Sequence, residues 1–210
     1  MPLKILNPPT EVSRVVSKNI EAYFDRGRAR GGGEALGREL TTPHQVFTLG
    51  LDDLTRAPSS LASTEAVADA SRASVLDAAR PTGWRYLVQE QGRATASAET
   101  VDVGGGRNEF SHFNEGRFVA SSAAALETVK RLADAQSAEL ELRMLHIPAL
   151  YMLAFWLHDE DTRNDLLVPL YPAPPGVEAY RPYPASELLD LLRTKASELI
   201  PDPIGATEGG

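Results

Sequence analysis

At 210 residues, 42% hydrophobic and 24% charged, the chain holds enough apolar material for one well-cored domain. A net charge of -8 and a pI near 5.1 argue against nucleic acid as the main partner, because phosphate recognition wants a basic surface. With no cysteine, disulfides, thiolate catalysis and zinc–sulfur sites are excluded, and a reducing, cytoplasmic setting is the expectation.

Residues 1–9 carry Pro2, Pro8 and Pro9, lack the apolar run of a signal peptide, and read as an extended arm. Residues 11–26 set Val12, Val15, Val16, Ile20, Tyr23 and Phe24 on one helical stripe, with Thr10 as N-cap and Gly27 as stop. That stripe can pack on the domain or on another subunit. Residues 28–40 read as a flexible linker around Gly31-Gly32-Gly33. A P-loop needs Gly-Lys-Ser/Thr entering a helix, and here Glu34-Ala35 follows, so a mobile loop is expected.

Residues 45–51 alternate as a strand, and residues 63–79 form an alanine-rich helix with Val67, Val75 and Leu76 as sparse anchors. Residues 83–103 read as a β-hairpin turning at Glu90-Gln91-Gly92. Trp84, Tyr86 and Val88 share one face of it, and Arg85 and Gln89 the other. On the return strand Ala94, Ala96 and Ala98 leave room for a helix. Gly104-Gly105-Gly106 ends that strand as a loop, and residues 110–113 form another strand. The helix expected on the alanine face is residues 122–135, with Ala123, Leu126, Val129, Leu132 and Ala133 inward.

Residues 138–172 are the most apolar stretch. In its first strand Leu140, Leu142, Met144 and His146 alternate with Glu141 and Arg143, which predicts one buried face. Pro148 marks a turn. Residues 150–157 lack alternation and suit a central strand covered on both faces. Residues 166–170 form a third strand that Pro169 confines to an edge or an early end. The longest apolar run, residues 149–157, is far short of the roughly 20 residues of a membrane helix. Residues 171–184 are proline-rich and should wrap the surface. Pro184-Ala185-Ser186-Glu187 open a last helix that runs to residue 199, and residues 201–210 form a disordered tail.

Candidate chemistry is sparse. His44, His112, His146 and His158 form no metal-ligand spacing. His146 and His158 end adjacent strands and can approach each other, but a core or boundary role suits His146 better. The cluster Asp159, Glu160, Asp161 and Asp165, beside His158, lacks the glycine and glutamate of a calcium loop, so a solvated turn is expected. Glu99 and Glu141 are candidates for paired acid–base carboxylates, or for a solvent face. Trp84, Tyr86, Tyr151, Phe155 and Trp156 can line a pocket, though strand aromatics more often fill a core.

The sequence therefore predicts an α+β fold: an antiparallel sheet of about five to six strands, a helix packed on one face, and peripheral N- and C-terminal helices. One domain is expected over residues 10–200. No catalytic residue can be assigned, and no cofactor or metal is expected. The leading expectation is a non-catalytic cytoplasmic protein-binding or assembly component. Its arginine and alanine usage suggests a bacterial source, and a protein partner or self-association is expected without nucleic acid or membrane. The alternatives are a small-molecule enzyme or ligand-binding domain, with a pocket between helix and sheet using His146, His158, Glu141 or Arg143, and a secretion chaperone or immunity protein.

Overall fold

Two antiparallel meanders meet along one parallel seam in the computed structural model, which describes residues 3–28, 38–56, 74–135, 139–160 and 164–199. The first meander is β1 (Arg38–Thr48), β2 (Arg80–Glu90), β3 (Arg93–Asp102) and β4 (Asn108–Glu115). The second is β5 (Glu141–Ile147), β6 (Met152–His158), β7 (Leu166–Pro169) and the two-residue β8 (Tyr183–Pro184). Helix α3 (Arg117–Ala135) carries the chain from the β4 edge to the middle, where β5 pairs in parallel with β1. The sheet order is β4-β3-β2-β1-β5-β6-β7-β8. The fold is α+β as expected, but the sheet has eight strands rather than five or six, and it is mixed. A parallel pair needs a long crossover, and α3 supplies it.

Helices cover both faces, not one. On the first face α3 packs Ala125, Leu126 and Val129 against Leu87, Leu142, Met144, Phe155 and Val168. On the second, α1 (Thr10–Arg28) lays Val12 and Val16 on Trp84, Tyr86, Val88, Ala96 and Ala98. Beside it α2 (Leu51–Thr55) and α4 (Ala185–Leu199) cover Leu145, Ile147, Ala154, Trp156 and Leu167. The N-terminal stripe is thus spent within the chain. The alanine row receives α1 rather than the expected residues 122–135. A bulge between Val88 and Gln89 shifts the register, so Ala94 faces α3 while Ala96 and Ala98 face α1.

Four local expectations shift. β1 begins at Arg38, inside the expected linker, and stops at Thr48, so Leu51 opens α2. Its alternation is broken by an irregularity between Thr41 and His44, with Thr42 at φ 49. Val75–Ala78 is one 3-10 turn rather than the end of a helix. Ser74 caps it, its Oγ accepting from the Leu76 N–H and its own N–H donating to Asp77. β5 is covered on both faces, not one, since Leu145 and Ile147 are as buried as Leu142 and Met144. Gly31-Gly32-Gly33, residues 57–73 and the tail beyond residue 199 lie outside the described residues. Among the described residues no helix is long and apolar enough to cross a membrane.

The hairpin turns at Gln91-Gly92, both at positive φ, as Glu90-Gln91-Gly92 predicts. Pro148 opens a 3-10 turn to Leu150, and β7 stops at Pro169. Gly83 is required by contact: a Cβ there meets the Thr100 carbonyl oxygen at 2.0 Å. Backbone on both sides must move to admit a methyl group. Gly83→Ala should therefore lower stability by about 1–3 kcal/mol. An unchanged urea midpoint would show that β2 and β3 are not this close.

Candidate functional site

The β5–β6 hairpin pairs Arg143 with Trp156 and Glu141 with His158. Side chains two apart on a strand share a face, so these four make a square patch on the face of Leu145 and Ile147. Phe47 of β1, opposite Leu145, borders it. The arm residue Lys4 bridges to Glu141 in parallel, extending the sheet where β1 no longer reaches β5. Its Nζ lies 3.5 Å from Glu141 and 4.0 Å from Glu160.

Two groups in this patch are held from behind. The Arg143 guanidinium lies over Phe47 at 5.0 Å and Trp156 at 4.9 Å, and its Nε donates to Glu141 at 2.6 Å. Among the described residues no hydrogen bond engages either Nη. His158 Nδ1 lies 3.1 and 3.2 Å from the two oxygens of Asp165. Asp165 is buried and also accepts from Trp156 Nε1 at 2.8 Å and from the Asp159 N–H at 2.9 Å. A carboxylate accepts only, so His158 Nδ1 carries a proton facing Asp165. In front lies a cavity of about 290 Å³ whose walls include Leu76, Asp77, Ala79, Arg143, His158 and Glu160. The capped 3-10 turn supplies Leu76 and Asp77, and Ala79 follows it.

The opposite face carries a second polar set. His44, Arg85, Glu99 and His112 stand in register across β1, β2, β3 and β4. Glu99 is the hub: it accepts from Asn114 at 2.9 Å, and lies 3.2 Å from Arg85 Nε and 3.6 Å from His112 Nε2. The Arg85 contact is an ion pair off the hydrogen-bond direction, leaving Nε without a bonded partner. His146 joins the rim of a cavity of about 240 Å³ there. Burial lowers the pKa of Arg85, with Glu99 opposing it, and lowers that of His146 likewise. His44 is completely buried, with Phe155 edge-on at 5.3 Å. Burial, then the Arg85 charge, push its pKa down to about 3 against the Thr42 carbonyl bond, so the ring is neutral.

The residues singled out in the sequence thus divide. Glu141, Arg143 and His158 come together. His146 does not join them, because the hairpin register sets it opposite Leu153, at the far end and on the other face. Glu99 and Glu141 are neither a pair nor a solvent face: they lie on opposite sides, each beside an arginine. The acidic turn is not solvated at Asp159 and Asp165, which are 3% and 8% exposed, while Asp161 lies outside the described residues. Trp84, Tyr86, Phe155 and Trp156 are core, with Trp156 also walling the first cavity, and Tyr151 is 88% exposed. Sequence reading passes over Phe47, Asp77 and Arg85. A hairpin register counted outward from a four-residue turn at 148–151 places Glu141 and Arg143 opposite His158 and Trp156, which is the signal the sequence offers. Comparison with protein-family models, curated proteins and solved structures finds no match to this chain.

Proposed function

We propose that this chain is a small-molecule-binding domain, with the Arg143–His158 cavity as its site. One observation carries this reading. Arg143 and His158 are each held by a carboxylate and packed against Trp156, and both line one cavity. Groups oriented by such supporting contacts are costly to arrange and suit recognition. The polar set on the other face is a weaker candidate, because Glu99 draws its donors onto itself. The ligand offers an acceptor to the Arg143 Nη atoms and a hydrogen-bonding group to His158 Nε2, and its volume is at the low end for ligand pockets.

The test is a calorimetric screen of small carboxylates, amines, amino acids and phosphates against the full chain. A saturable ligand should appear, and Arg143→Met and His158→Gln should each weaken it by about tenfold or more, as lost charge-assisted or buried hydrogen bonds do. A ligand bound equally by both variants would move the site elsewhere. The protein-partner reading stands second, on the exposed Tyr151 and Tyr171. These lie at one end of the sheet, where the Leu170 N–H donates to the Leu153 carbonyl.

A further inference from the structure

On the α3 face a chain of polar contacts runs outward from buried Arg85, through Glu99, to half-exposed His112 and exposed Ser111. Glu99 Oε1 faces Arg85 Nε at 3.2 Å and accepts from Asn114 Nδ2 at 2.9 Å. The carboxylate is thereby held by one oxygen and turns the other, Oε2, to His112 Nε2 at 3.6 Å. On the far side of that ring, Nδ1 lies 2.8 Å from Ser111 Oγ. Neighbouring residues on a regular strand point to opposite faces, so this last contact needs an irregularity. β4 has one: Glu99 pairs with His112 and Thr100 with Phe110, which leaves Ser111 unmatched across the ladder. Bulges of this kind re-aim a side chain, and they gather beside active sites.

We propose that Ser111, His112 and Glu99 form a second site, which hydrolyses small carboxylic esters. Ser111 is the nucleophile, His112 the general base, and Glu99 a positioning residue held in turn by Arg85 and Asn114. His112, Glu99 and Asn114 line a cavity of about 240 Å³ together with Phe118, Met144 and Leu153. The apolar walls seat the acyl group, and the volume limits it to a short chain. As Ser111 Oγ bonds to the carbonyl carbon, its proton passes to His112 Nδ1. The bond from that carbon to the alcohol oxygen breaks, and the alcohol leaves with the proton. Water then attacks the acyl carbon and gives a proton to Nδ1. The bond to Ser111 Oγ breaks, Oγ recovers that proton, and a carboxylic acid departs. Attack requires the ring form in which Nδ1 accepts and Nε2–H faces Glu99, an orientation that a carboxylate, accepting only, favours. The charged and titratable groups in the wall with His112 are Arg85, Glu99 and His146.

The intact chain is assayed with 4-nitrophenyl butyrate and, separately, treated with diethyl 4-nitrophenyl phosphate, which leaves a stable phosphoryl group on an activated serine. Hydrolysis should be saturable and should fall on acidification, as His112 takes a proton and ceases to act as a base. Peptide mass mapping should place the phosphoryl group on Ser111. Ser111→Ala and His112→Gln should each lower kcat/KM by about a hundredfold or more, and Ser111→Ala should abolish the label. Both positions are exposed, and thermal melts verify that these two variants are folded. Glu99→Gln should lower kcat with KM little changed, since it disturbs the ring rather than the acyl seat. That change also strips a buried guanidinium of its counter-charge, so the Ser111 and His112 variants decide the matter. Absence of hydrolysis and label, a label equally strong in urea, a rate independent of pH, or a Ser111→Ala variant as active as the parent would each overturn the proposal. None of these outcomes bears on the Arg143–His158 cavity.

Discussion

Phe155→Ala should destabilise the chain by about 3–5 kcal/mol, enough to leave it partly unfolded. Phe155 has no exposed surface and sits at the centre of β6, opposite Met144 of β5 and Val168 of β7. Its ring fills the space beneath α3 with Leu142, Leu157 and Val168, and meets His44 edge-on. Truncation removes the transfer energy of the ring and leaves a void that rigid strands on either side cannot close. It also takes a packing partner from a buried imidazole that already lacks a bond at Nε2. His146→Ala and His158→Ala should cost less, about 1–2 kcal/mol each, because one lies at a cavity rim and the other on a partly open patch. Urea melts of the three variants decide the ranking. A Phe155→Ala melt that matches the parent would mean that Phe155 is not packed between β6 and α3 as described.

Acidification should unfold the protein through His44. In the folded chain its pKa is about 3, and in the unfolded chain it returns to the ordinary value near 6.5. Between those values the unfolded state binds the extra proton, so stability rises with pH. The His44 contribution is complete above about pH 6.5 and is lost as pH falls toward 3. One proton corresponds to about 1.4 kcal/mol per pH unit, so about 2–3 kcal/mol should be gone near pH 4.5. The groups around the ring act in the same sense: Arg85 repels an imidazolium, Phe155 offers no solvation, and only the Thr42 carbonyl favours it. His146 adds a smaller slope of the same sign. The check is urea stability from pH 7 to pH 5 for the parent and for His44→Gln. The parent should lose stability faster by up to about one proton's slope. Equal slopes, or a His44 resonance titrating near pH 6.5 in the folded chain, would refute the buried neutral ring.

Much of the local structure is written in side-chain periodicity. The stripe of Val12 and Val16, the Trp84–Tyr86–Val88 face, the turn at Gln91-Gly92 and the breaks at Pro148 and Pro169 all arise from bonds a few residues apart. So does the burial of Phe155, because a strand without alternation has two apolar faces wherever it is placed. Composition alone disposed of thiolate and disulfide chemistry. The sheet order was not accessible in this way. Pairing β1 with β5 in parallel joins residues almost a hundred positions apart, and apolar strands of similar length satisfy many orders equally well. That pairing decided the chemistry. It brought Phe47 beside Arg143, while the antiparallel pairings from β1 to β4 aligned His44, Arg85, Glu99 and His112, and the β5–β6 register sent His146 and His158 to opposite faces. One-residue irregularities between Thr41 and His44 and at Val88 then chose which side chains faced inward, and backbone hydrogen bonding across the sheet, not local propensity, fixes those.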